Sequence, residues 1–183
     1  MRFDASDYEP AVYEILILDG AGNRLMPLAM GVCSNREAAR LISDFAPREL
    51  FPNAPEPDAA YSGLWLYFSC LEESHRVSQE IHGPSGSFWH GIMHRQEPDA
   101  GNAAYWFRRV GRHPVFEALH KEASILAQRF PGTTFHSGDQ WDPLAFVDFC
   151  EDAHRRPGSK DEQLALRIQR AEWQLLFGYC ARP

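Results

Sequence analysis

The sequence predicts an all-α domain, a compact bundle of about seven helices packed as antiparallel pairs. Three observations carry this. Apolar residues recur three and four positions apart in most segments, as one buried face of a helix requires. Those segments are bounded by helix start and stop chemistry: capping boxes, Asp-Pro, Pro-Gly. The 183 residues are 44% hydrophobic and 13% aromatic, enough for one substantial core, so residues 1–183 read as a single globular helical domain.

The elements follow in order. Ser6-Asp7-Tyr8-Glu9 has capping-box spacing and Pro10 suits a first turn. The β-branched run from Val12 to Leu18, followed by Asp19-Gly20 and Gly22-Asn23, also fits a short N-terminal hairpin. Between helix and hairpin for residues 8–30, helix is preferred, closing at Gly20, because everything downstream is helical. Ser34-Asn35-Arg36-Glu37 is a second capping box, with Ala38, Leu41, Ile42 and Phe45 following at helical spacing and Pro47 ending the run. A Pro-rich connector, Phe51 to Pro57, leads into a long helix from Asp58 to about Ser78 with Tyr61, Leu64, Trp65, Phe68 and Leu71 as its stripe.

Gly83-Pro84-Ser85-Gly86 breaks the chain before a helix from about Ser87 to Gln96. Asp99 is the N-cap of the next, about Ala100 to Arg112. Pro114 opens another, carrying Phe116, Leu119, Ala123 and Leu126, which Pro131-Gly132 stops. After a polar loop, Asp142-Pro143 starts a helix with Phe146, Phe149, Cys150 and Ala153. Lys160 to about Tyr179 closes the chain, with Leu164, Ile168, Ala171 and Leu175 in register.

Composition limits the function. A net charge of −7 repels phosphate backbones, so nucleic acid is not expected as a partner. No apolar run approaches the ~18 residues of a membrane span, and the acidic N-terminus is not a secretory signal. Cys33, Cys70, Cys150 and Cys180 lie far apart without a CxxC pair, and read as reduced, buried small hydrophobes in a cytoplasmic protein.

Gly91, Ala103 and Phe107, with Glu97-Pro98-Asp99 at the turn, resemble a single tetratricopeptide unit. The likeness covers about 30 residues and no second copy follows; His94 stands where that family has a large aromatic. It implies the geometry of a helix pair.

That pair is where chemistry concentrates, between His82 and His113. Four of the eight histidines fall between positions 75 and 94. His90 and His94 are one turn apart, which puts both imidazoles on one side of a helix, as a zinc or iron site requires of a helix giving two ligands. The third ligand is open among His75, His82, Glu97, His113, His136 and Asp139. Position 91 is Gly, so the HExxH protease pattern is excluded. On the following helix Asn102, Trp106, Arg109 and His113 form one stripe, with Ala103, Phe107 and Val110 on the core side.

An αα-hairpin would turn His90, His94, Asn102, Trp106, Arg109 and His113 into one pocket. An amide, an indole N–H, a guanidinium and three imidazoles suit a small polar or anionic ligand, which is the function expected. Two alternatives stand beside it. One is a metal-dependent, hydrolase-like enzyme with a divalent transition metal such as zinc on His90 and His94. The other is a non-catalytic helical scaffold for protein partners. The bland readings are surface histidines, a solvated basic face at Arg108, Arg109 and Arg112, and core tryptophans at 89 and 106.

Overall fold

The computed structural model of the protein describes residues 3–183. Ten α-helices and two 3-10 turns form an all-helical bundle, with no strand among the described residues. Prolines and side-chain caps set most of the starts. Helix α1 (Pro10–Ile17) begins at its proline, so the β-branched run is helical and no N-terminal hairpin forms. Asn35 accepts from Ala38 N at 3.0 Å and caps α2 (Arg36–Ser43). Ser34, one position early in the expected capping box, instead donates its hydroxyl to Asp19 at 2.8 Å.

The count exceeds seven for two reasons. A single turn, α3 (Pro47–Leu50), precedes the connector. The long helix expected from Asp58 to Ser78 is two helices, α4 (Pro57–Tyr67) and α5 (Leu71–Ser78). Between them Ser69 takes a left-handed φ of 58°, which ends helical propagation. Arg24 holds the break by donating to the Tyr67 carbonyl and, at 3.1 Å, to Ser69 Oγ. Ser34 N–H adds a bond to the Phe68 carbonyl at 2.7 Å.

The remaining helices are α6 (Pro84–Gln96), α7 (Ala100–Val110), α8 (Val115–Arg129), α9 (Pro143–His154) and α10 (Lys160–Ala181). Asp99, Asp142 and Ser159 cap α7, α9 and α10 with their side-chain oxygens, satisfying first-turn N–H groups that no helix can pair internally.

One core runs from Phe3 to Ala181, with Trp89, Trp173, Tyr67, Phe68, Phe88 and Phe177 fully enclosed. Trp173 stacks on Phe177 at 4.7 Å and donates its indole N–H to the Gly63 carbonyl at 2.7 Å. Gly63 leaves room for Trp89: a Cβ there would lie 2.5 Å from its ring.

Helix α6 packs against α4, α5, α7 and α9. Every residue from Ser85 to Gln96 is buried, including two serines, two histidines, an arginine and a glutamine. Such a helix must find partners for its polar groups, because each left unpaired costs ~1–3 kcal/mol. Arg95 finds Glu172, fully enclosed on α10, and Gln169 at 3.3 Å, with the Phe146 ring 4.6 Å beneath its guanidinium. The ion pair holds Arg95 charged, while burial pushes the Glu172 carboxyl up.

Cys33 and Cys70 are joined by a disulfide across 37 positions, so the expectation of four reduced, buried thiols is corrected. The pairing follows from the loop before α2 being pinned to the α4–α5 break by the Ser34 and Arg24 bonds. Cys150 and Cys180 are free and buried, and burial pushes the Cys150 thiol up to about 12.

Candidate metal centre

Helix α5 folds back onto α6 through the turn around Gly83, where Gly83 N–H bonds the Ile81 carbonyl at 3.0 Å. That packing brings His75 of α5 against His90 and His94 of α6. Ring centroids are 4.7 Å apart for His75–His90, 5.3 Å for His75–His94 and 4.9 Å for His90–His94. One nitrogen from each ring lies within 4.8 Å of the other two. Two nitrogens on one tetrahedral zinc are about 3.4 Å apart, so small ring rotations would close the set. His75 is half-buried, while His90 and His94 are 2% and 8% exposed.

Protonation is fixed by surroundings. Burial drives His90 down to about 3, helped by the neighbouring imidazoles at 94 and 75 and opposed by a hydrogen bond to the Ser78 carbonyl. The ring is therefore neutral near pH 7 and carries one proton. His90 Nδ1 is buried without a hydrogen-bond partner. Burial also lowers His94, against the pull of Glu97. His94 Nδ1–H donates to Glu97 Oε2 at 3.0 Å, which leaves Nε2 unprotonated. A carboxylate behind a ligating imidazole is the usual support of a metal-bound histidine.

Trp106 of α7 stacks on His90 with centroids 3.9 Å apart and planes 19° apart. The Arg109 guanidinium lies 5.2 Å from the Trp106 ring and is otherwise exposed. Gly91 permits the close approach of α7, since a Cβ there would stand 3.0 Å from the Phe107 ring.

The six-residue pocket is thus only partly assembled. His90, His94 and Trp106 meet, with Arg109 beside Trp106. Asn102 is exposed and bonds Asp99 at 2.8 Å. His113 does not share the site and is corrected: it lies beyond the end of α7 and turns to the opposite end of α6. There Ser85 is 3.2 Å from Nε2, and Phe88 and Tyr179 pack on the ring. Val115 N–H donates to His113 Nδ1 at 3.2 Å. The single proton of this ring, lowered to about 4 by burial, therefore sits on Nε2 and is donated to Ser85. That tautomer cannot take a proton from the serine, so the pair is structural.

Of the other third-ligand candidates, His82, His136 and Asp139 are exposed outside the cluster, and Glu97 stands behind His94. His75 is the group that sequence spacing left unselected. Its signal was the short α5–α6 turn, which lets two consecutive helices face each other.

No helix among the described residues is long and apolar enough to cross a membrane. Set against models of known protein families, curated proteins and solved structures, the chain matches none.

Proposed function

We propose that the protein is metal-dependent: His75, His90 and His94 hold a divalent transition metal, zinc foremost, and the remaining coordination position takes water or a small anionic substrate. The observation that carries this reading is the convergence of three imidazoles, with His90 Nδ1 buried and without a hydrogen-bond partner. A polar nitrogen so enclosed is costly unless it finds a partner. The low proton affinity of His90 and His94 favours a metal further, because protons compete with the metal for the same lone pairs.

Three protein ligands with one open position are the pattern of catalytic zinc, and a metal so held lowers the pKa of bound water to about 7. Hydrolysis of a small molecule is the reaction class this supports. Arg109 gives the rim a positive charge within a chain of net charge −7, which favours an anionic substrate over nucleic acid. The Cys33–Cys70 disulfide removes the premise on which a cytoplasmic location was expected.

The test is calorimetric titration of chelator-stripped protein with zinc at pH 7.5. It should bind about one equivalent, with affinity falling roughly a hundredfold or more in His90→Ala and in His94→Ala. Binding below about a tenth of an equivalent, with no thermal shift on adding zinc, would remove the proposal.

A further inference from the structure

Helices α8 and α10 pack against each other yet leave a groove of about 570 Å³ between them, inside the ~300–1,000 Å³ range of small-ligand sites. It is distinct from the histidine cluster. Val115 and Leu126 on α8 and Ala171, Leu175 and Tyr179 on α10 give it apolar walls, and Tyr179 is 40% exposed.

The charge along the groove is uneven. The chain directions set Leu126 near Arg167, whose guanidinium lies 4.9 Å from the Phe130 ring just past α8, and Val115 near Tyr179. Arg167 and Arg170 therefore mark one end and Tyr179 lies near the other. Neither arginine is paired with a carboxylate among the described residues. Arg167 donates to the Gln163 carbonyl at 2.7 Å and Arg170 to the Asn23 carbonyl at 3.5 Å. The Nε–H of Arg170 is shielded from solvent without an acceptor. The other cations along the groove are already matched, Lys121 by Glu117 and Arg182 by Asp7. Glu122 is the one acidic side chain lining it.

A site with two unmatched guanidinium groups at one end and an apolar trough leading away fits a molecule with an anionic head and a hydrocarbon tail. From Arg167 to Tyr179 the helix rises about 18 Å. Carbon–carbon bonds of about 1.5 Å at about 111° advance roughly 1.25 Å per methylene, so a chain of about 14 carbons matches that length. We propose that the α8–α10 groove binds a free long-chain fatty acid, with the carboxylate on Arg167 and Arg170 and the tail along Leu126, Ala171 and Leu175 toward Tyr179.

The probes are myristate, myristyl alcohol and tetradecyltrimethylammonium, each below its micelle concentration, read by calorimetry and thermal shift. Myristate should bind at least about tenfold more tightly than the neutral alcohol and the cation should be weakest, since a hydrogen bond to an ionised acceptor is stronger than one to a neutral hydroxyl. Arg167→Glu with Arg170→Glu should abolish the preference, and Ala171→Trp should block the trough and remove binding of every probe. Where the double reversal fails to fold, Arg170→Gln with Arg167→Gln serves, with loss of at least about tenfold expected. Equal affinity for all three probes, or myristate binding untouched by the arginine changes, overturns the proposal. So does cosedimentation with anionic vesicles without myristate binding, which would make the groove a membrane-facing surface. A dimer in solution that Ala171→Trp breaks, again without myristate binding, would make it an interface between copies and equally refute the idea.

Discussion

Replacing Glu97 with Gln isolates the part of the proposed metal centre that would act through another group. The carboxylate accepts from His94 Nδ1 at 3.0 Å, and its side chain is 54% exposed. In the metal-free protein the pair contributes little, because exposed ion pairs stabilise by ~0–1 kcal/mol. With metal bound the same carboxylate orients the imidazole and raises its basicity, and loss of such partners costs about 10–100-fold in metal affinity, or ~1.4–2.7 kcal/mol. At a zinc concentration 1,000 times the parent Kd, binding stabilises the parent by ~4.1 kcal/mol; a hundredfold weaker variant would gain ~1.4 kcal/mol. At ~2–4 °C per kcal/mol for a chain of this size, the zinc-induced rise in Tm should shrink by about 5–11 °C. The assay is differential scanning fluorimetry with and without zinc, alongside competition against a chromophoric chelator. Metal-free Tm values should agree closely. Unchanged zinc affinity in Glu97→Gln, while His94→Ala abolishes binding, would refute the supporting role of the carboxylate.

Three further outcomes are expected. In the metal-free protein His90 and His113 sit at about 3 and about 4, below the ordinary value of 6.5. The unfolded chain therefore binds more protons than the folded one, so the stability these rings contribute is fully present above pH 6.5 and falls as pH drops toward 3; at pH 5.5 each costs ~1.4 kcal/mol. Urea midpoints flat between pH 8 and 5 would contradict this. Glu172→Gln leaves the Arg95 guanidinium buried without its partner and should destabilise by ~3–5 kcal/mol, whereas Arg95→Met with Glu172→Leu should recover most of the loss; equal destabilisation in single and double variants would count against the pairing. Reducing the disulfide, or Cys33→Ser, should lower stability by ~3–4 kcal/mol for a closed loop of this length, and identical denaturant midpoints with and without dithiothreitol would show that the bridge is not formed.

The local parts of this architecture were legible. Helix starts at Asp99 and Asp142-Pro143 are capping chemistry written within three residues, and they stand where their side chains meet first-turn N–H groups. The spacing of His90 and His94 was equally plain, because one turn of helix relates them whatever else the chain does. The break at Ser69 was not, since it depends on Arg24 and Ser34 arriving from a distant loop. His113 shared a helical stripe with Trp106 on paper, but the helix ends before it at Gly111, where φ is +63°, and its ring goes to Ser85.

What the sequence by itself determined is therefore the helical class, most element boundaries and two of the three imidazoles, all consequences of periodicity and caps within a turn or two. Tertiary structure alone decided that α6 is buried on every side, that His75 supplies the third imidazole, that Cys33 meets Cys70 and that α8 and α10 part to leave a groove. Those depend on which helix faces pack together, and that choice is made by the summed burial of the whole core, which no short stretch of chain encodes.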